Sequence, residues 1–267
     1  MKHGPNNKDV VEIEEKGSYF EIDQEGFVVN PTSIDKVQDK WKPAIEDVVS
    51  AYKKHYGEYL RSVYVRGSAA KGEAIEGISD LDSFAFVDLD EKDIEKEWFK
   101  EAERSLRDKY FFIKGIEFGA DPLVIEGNGI ILLNQSLLVY GEPVDFPRLK
   151  PGPQMAIHAK KFDKRIKWFR DKLEKEKDPE DLAKGCVWVM KLLLRMGFEM
   201  TMERSKMYTR DLYRCYETFS EYYPEKEKEM KEVLYLALNP TADKKVVLSI
   251  IDNLGVWMSE EKKKYFS

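Results

Sequence analysis

The sequence predicts an α+β protein: a small mixed-sheet domain followed by an all-α helical bundle. Three observations carry this. Short apolar runs at 63–65, 84–87 and 111–118 alternate with helix-like patterns in the first 150 residues. Beyond residue 154, apolar residues recur at three and four positions almost to the end. Between these halves lies a proline-rich joint, Pro147 to Pro153, which marks the boundary. The chain is thus expected to comprise a mobile polar tail over 1–17, a sheet domain over 18–150 and a helical domain over 151–267.

Taken in order, Tyr19, Phe20 and Ile22, then Gly26, then Phe27 to Val29, suggest a hairpin. Val37, Trp41, Ile45, Val48, Val49 and Tyr52 predict one amphipathic helix over 34–60. Ser62 to Val65 predicts a strand leading directly into Gly67-Ser68. Ser79-Asp80-Leu81-Asp82 enters a second strand at Phe84 to Val87. A helix over 91–108 follows, then a strand over 111–118. Residues 130–133 fit a short strand or a helix start. In the second half, breaks are expected near Lys177-Asp178-Pro179, Gly197, Tyr223-Pro224 and Asn239-Pro240.

Composition narrows the function. The 267 residues carry 50 acidic against 44 basic side chains, a formal net charge of -6. No global basic excess favours a nucleic acid, so a polymeric nucleic-acid partner is not expected. Two cysteines, Cys186 and Cys215, and three scattered histidines, His3, His55 and His158, do not make a zinc site of usual spacing. The first residues lack the apolar core of a signal peptide, and no apolar run reaches membrane-spanning length. The expected location is the cytoplasm.

Chemistry concentrates in 63–87, VYVRGSAAKGEAIEGISDLDSFAFV. Gly67 lets the backbone turn sharply and approach a ligand. Ser68 and the amides after it suit an anion such as a triphosphate. Asp80 and Asp82, two apart on a strand, share a face and suit a divalent ion. An acidic-x-acidic triplet alone is weak evidence, since composition gives about nine by chance. The conjunction of strand, Gly-Ser, Gly72 and Ser-Asp-x-Asp running into an apolar strand is far more specific.

Gly67-Ser68, Gly72 and Ser79-Asp80-Leu81-Asp82 resemble the signature of the DNA polymerase beta-like nucleotidyltransferases. The likeness is nearest to bacterial stand-alone members such as aminoglycoside nucleotidyltransferases, which add a helical domain. Lys71 stands where many members carry arginine, and Ser83 where an apolar residue is usual. The resemblance implies that Gly67, Ser68, Lys71 and Ser79 bind the nucleotide and that Asp80 and Asp82 hold magnesium, or manganese in its place. It implies a third carboxylate on a later strand. Glu117, in Gly-Ile-Glu-Phe, matches best as metal ligand and general base, and Asp121 is the alternative. It further implies a phosphate contact from the helical domain, Lys206 first and Arg210 second. The competing reading of the basic run at 204–214 is an ordinary solvated helix face. Arg66 either pairs with a carboxylate or reaches a phosphate. Trp168, Trp188, Met196, Met200 and Met202 either line an acceptor pocket or belong to the helical core. Tyr208 either stacks on a ligand or is core.

The implied activity is transfer of a nucleoside monophosphate, AMP from ATP first, to a hydroxyl with release of pyrophosphate. A small hydroxylated acceptor such as an aminoglycoside comes first. A protein side chain, as in an AMP-transferring antitoxin, is the alternative acceptor. A non-catalytic nucleotide-binding module is the rival from another class.

Overall fold

A computed structural model describes residues 10–123 and 128–265. The chain divides into two compact units: Val28–Leu149, and the residues up to Phe27 together with Lys150–Ser267. The fold is α+β, with the strands in the first unit and long helices in the second.

The sheet unit begins with two single 3-10 turns, Ile34–Lys36 and Asp39–Trp41, and then α1, Lys42–Tyr56. The continuous helix expected over 34–60 is therefore broken before Lys42. Pro43 explains the start, because proline has no N–H to give and fits the first helical turn best. β1 (Leu60–Arg66), α2 (Gly67–Lys71) and β2 (Leu81–Val87) follow. Helix α3 (Trp98–Lys109) is shorter than the 91–108 expectation, because Glu91–Asp93 forms only a 3-10 turn before it.

The strand expected over 111–118 shrinks to β3 (Ile116–Glu117), with β4 (Ala120–Pro122) just beyond. Residues 110–113 turn instead, Ile113 N–H donating to Tyr110 O at 2.9 Å, and Phe111 stays 87% exposed. Residues 130–133 belong to helix α4 (Asn128–Leu133). β5 (Ser136–Gly141), which the sequence pattern does not mark as a strand, completes the sheet.

The strand order is β3-β2-β1-β5, with β4 beside β2 on the β3 edge. β1 runs antiparallel to β2 and to β5, while β3 and β4 run parallel to β2. Alternation along the strands gives the two faces different jobs. Val63, Val65, Leu81, Ala85 and Val87 enter the main core with Trp41, Ile45, Val48 and Tyr52 from α1 and its approach. Tyr64, Phe84 and Phe86 lie on the other face with Leu133 and Leu138.

The second unit holds α5 (Ile157–Lys175), α6 (Pro179–Glu199), α7 (Met202–Ser205), α8 (Leu212–Tyr222), α9 (Glu227–Leu238), α10 (Lys244–Ile250) and α11 (Val256–Glu261). A π-helical turn, Ile251–Gly255, joins the last two. Breaks fall at Asp178-Pro179, Tyr223-Pro224 and Asn239-Pro240, as expected. Gly197 does not break α6. It is a packing residue, and a Cβ there would lie 2.8 Å from Met230 Cε and 2.9 Å from Phe219 Cδ2. Met196, Met200 and Met202 are buried, whereas Trp168 and Trp188 are more than half exposed.

Residues 18–27, grouped with the sheet on the sequence pattern, pack with the helical unit. Phe20 N–H donates to Tyr208 O at 2.8 Å, and Thr209 Oγ1 donates to Ser18 O at 2.7 Å. Ser18 N–H donates to Asp211 Oδ2 at 2.8 Å. The expected hairpin is reduced to its turn: Asp23 N–H donates to Phe27 O at 2.9 Å, and Asp23 Oδ1 accepts from Glu25 and Phe27 N–H at 2.9 Å each. Within the expected tail, Val11 and Glu15 also have partners, Asn239 and Arg214; residues 1–9 lie outside the described residues. Among the described residues, no helix is long and apolar enough to cross a membrane.

Candidate active site

The chemistry-bearing residues form a row across three strands. Arg66, last in β1, is the register partner of Asp82 in β2, and Asp82 is the register partner of Glu117 in β3. Directly opposed strand residues have neighbouring side chains, so this row follows from backbone pairing. Arg66 lies 3.7 Å from Asp82 Oδ2. Asp82 and Glu117 stand side by side across the β2–β3 pairing, close enough for their charges to act on each other. Desolvation, then the charge of Asp82, holds the Glu117 carboxyl above the usual glutamate range, with Arg66 pulling the other way. Two carboxylates forced together in this way favour a shared proton or a cation between them.

Asp80 lies just before β2 and is exposed. Its carboxylate rests against Gly115, just before β3, where an added Cβ would stand 3.0 Å from Asp80 Oδ1. Asp82 and Glu117 are thus drawn together, and Asp80 stands one step along the same edge. Among the described residues, no three His, Cys, Asp or Glu side chains gather closely enough to enclose a metal ion. Asp121 lies further along the edge, in register with Phe86 rather than with Asp82.

Gly67 turns the chain at φ +78°, where a side chain would be strained, and a Cβ there would stand 3.5 Å from Asp82 Oδ2. The Gly67-Ser68 turn is thereby pressed against the carboxylate row. Ser68, half-buried, presents its carbonyl to Glu73 N–H at 2.9 Å. Gly72 closes α2 in the left-handed conformation, and a Cβ there would collide with the carbonyl of Lys36. Ser79 takes a local role, its Oγ accepting Ile75 N–H at 2.9 Å. Lys71 ends α2 on the partly exposed rim. A cavity of about 500 Å³ opens beside the row, with Arg66, Phe84, Glu91, Glu117 and Asp121 among its lining residues.

In the helical unit, Lys206 is exposed and adopts φ +57°, the sole non-glycine with positive φ among the described residues. Tyr208 is core, packed edge-on against Phe20 at 5.1 Å. Arg210 is partly buried and forms no ion pair among the described residues.

Sequence reasoning missed Arg195. It lies in α6, its Nε is buried with no hydrogen-bond partner among the described residues, and its pKa is pushed down to about 10 by burial and then by the charge of Arg210. A buried guanidinium beside a second one is a costly arrangement unless an anion joins them. No sequence signal separates Arg195 from the other basic residues, because the burial of its Nε is a property of the fold.

The chain matches no protein-family model. It matches no curated protein sequence. Among solved structures it is similar to the crystal structure of spectinomycin adenyltransferase AAD(9) from Enterococcus faecialis with ATP and spectinomycin, at 15% identity and a TM-score of 0.45, over 83% of this chain and 99% of that one.

Proposed function

We propose that this chain is a magnesium-dependent nucleotidyltransferase that moves a nucleoside monophosphate, AMP from ATP first, to a hydroxyl of a small acceptor and releases pyrophosphate. The observation that carries the reading is the Arg66–Asp82–Glu117 row with the Gly67-Ser68 turn pressed against it. An acidic pair beside a sharp glycine turn suits a triphosphate and its counter-ion better than it suits a structural role.

The donor set fits magnesium. That ion takes hard oxygen ligands and is commonly bound by one or two carboxylates together with substrate phosphates and water. Asp82 and Glu117 are the residues to hold it, with Asp80 adjacent, and their mutual repulsion is relieved by a cation. When bound, the ion supplies positive charge against the phosphate oxygens and the leaving pyrophosphate.

The chain's own residues do the rest. Ser68 and the backbone of the turn position the triphosphate, and Lys71 adds charge at the rim. Glu117 accepts the proton of the acceptor hydroxyl as its oxygen forms a bond to the α-phosphorus. The bond from that phosphorus to the bridging oxygen breaks, and its electrons leave with pyrophosphate. Lys206 first and Arg210 second are the helical unit's candidates for a phosphate contact. Most of the rate enhancement is positioning and electrostatics.

The test is pyrophosphate release by the purified protein with magnesium, each of the four NTPs and a panel of hydroxylated acceptors including aminoglycosides. Acceptor-dependent release that disappears in Asp82→Asn supports the reading. Nucleotide binding without release for any acceptor, a protein side chain included, would favour a non-catalytic nucleotide-binding module instead.

A further inference from the structure

Beneath the carboxylate row lies a buried polar chain with no part in the chemistry above. Tyr52, on α1, is fully buried, and Ser83, on β2, is 5% exposed. Tyr52 Oη and Ser83 Oγ lie 3.1 Å apart. Ser83 Oγ donates to the backbone carbonyl of Glu117 at 2.7 Å. Gly119 N–H donates to Tyr52 Oη at 3.0 Å, and Gly119 O lies 3.0 Å from the same oxygen.

The protons can be followed around this chain. Ser83 has one, and it goes to Glu117 O. Tyr52 O–H has one proton for two acceptors, Gly119 O and the Ser83 oxygen, and its own oxygen accepts from Gly119 N–H. Every polar atom involved is satisfied, as buried groups require.

Its position is what matters. β3 has only two residues and β4 three, with Phe118 and Gly119 between them outside regular pairing. Yet the register is the same on both sides, Asp82 opposite Glu117 and Ala85 opposite Ala120. The side-chain bonds from Ser83 and Tyr52 span the interruption. Ser83 follows Asp82 directly in the chain and holds Glu117 through its carbonyl. One residue of β2 therefore indexes both carboxylates. An apolar residue at 83 would fill the space without tying Glu117 to Asp82.

We propose that Ser83 and Tyr52 are positioning residues that fix the backbone of Glu117 against Asp82, so that the two carboxylates stay matched for the metal and the acceptor hydroxyl. The proposal rests on the nucleotidyl-transfer reading. A 1 Å misplacement of a reacting group is enough to cost about 100-fold in rate.

The experiment compares wild type with Ser83→Ala, Ser83→Thr and Tyr52→Phe, each confirmed folded by circular dichroism at the assay temperature. Two quantities are read: steady-state pyrophosphate release, and Mn²⁺ affinity by electron paramagnetic resonance, which needs no turnover. Ser83→Ala and Tyr52→Phe are expected to lower kcat by about 10- to 100-fold while KM for the NTP stays within about threefold. Mn²⁺ affinity in both is expected to fall by about tenfold, as for loss of a residue supporting a metal ligand. Ser83→Thr, which keeps the hydroxyl, restores most of both. Wild-type kcat and Mn²⁺ affinity in a folded Ser83→Ala protein would overturn the proposal, as would a loss that threonine does not rescue. If wild type releases no pyrophosphate with any substrate pair, the transferase reading fails, and the Mn²⁺ series alone then decides whether Ser83 positions Glu117.

Discussion

The acidic row and the cationic cluster are built by opposite means. Arg66, Asp82 and Glu117 are neighbours because three strands pair in a fixed register. Arg195, Lys206 and Arg210 depend on a helix and a non-repetitive loop, and side chain-to-backbone bonds tie that loop to residues 17–20. In the row, charges of both signs meet within a few ångströms. In the helical unit, the like charges of Arg195 and Arg210 act on each other, and the Nε of Arg195 is left without a partner among the described residues. Backbone register supplies geometry from a short stretch of sequence, whereas a loop-built cluster needs distant segments to agree.

The contrast is open to test, beginning with the row. Glu117→Gln removes the proton acceptor and is expected to lower acceptor-dependent pyrophosphate release by about 10²- to 10⁴-fold. The same change removes a like-charge contact with Asp82, so thermal melting is expected at or above the wild-type temperature. A melting point well below wild type would mean that Glu117 serves mainly as a structural residue.

Next in size is the turn that closes α2. Gly72 combines φ +78° with a backbone carbonyl where a side chain would go. Gly72→Ala is expected to destabilise the sheet unit by about 2 kcal/mol or more, measured by urea unfolding. A cost below about 0.5 kcal/mol would show that this turn is pliable and does not fix Gly67-Ser68.

In the helical unit, Gly17 sits at φ +88°, and a Cβ there would lie 2.5 Å from Asp211 Cβ. Gly17→Ala is expected to loosen the bonds of residues 17–20 to the 206–211 loop and cost about 1–2 kcal/mol, with faster amide exchange over 206–211. Unchanged exchange there would separate residues 17–20 from the cationic loop.

The smallest effect carries the opposite sign. Arg195→Met replaces a partly satisfied buried charge with an apolar side chain of similar length. It is expected to raise the stability of the helical unit by about 1 kcal/mol, measured by urea unfolding. Destabilisation instead would mean that Arg195 holds the bundle together rather than waiting for an anion.

How much of this was legible follows from how local each feature is. The Gly67-Ser68 turn, β1, β2 and the α+β class are written in contiguous residues, and the structure repeats them. Which of Glu117 and Asp121 stands opposite Asp82 is a matter of register that contiguous sequence does not show: the first pairs with Asp82 and the second with Phe86. Aromatic residues over 111–118 have high β-propensity, but that preference yields to tertiary context, which leaves Phe111 in solvent and only Ile116–Glu117 as strand. Gly197 looked like punctuation because its neighbours in α8, α9 and α11 are far away in sequence. Arg195 was invisible for the same reason, since burial of one basic residue among 44 is a property of the fold.

The short, interrupted edge formed by β3 and β4 has a consequence for the protein in a crowded solution. A long apolar edge strand offers unpaired amides and carbonyls to any other extended chain, the usual first step of sheet-to-sheet aggregation. Here that edge is two residues, then three, with the exposed charges of Glu117 and Asp121 and with Pro122 at its end. Proline cannot donate to a new ladder, and charge resists a dry interface. The irregularity that presents a carboxylate to solution also leaves little for a foreign strand to pair with, so straightening this edge into an uninterrupted apolar strand would make the molecule sticky as well as silent.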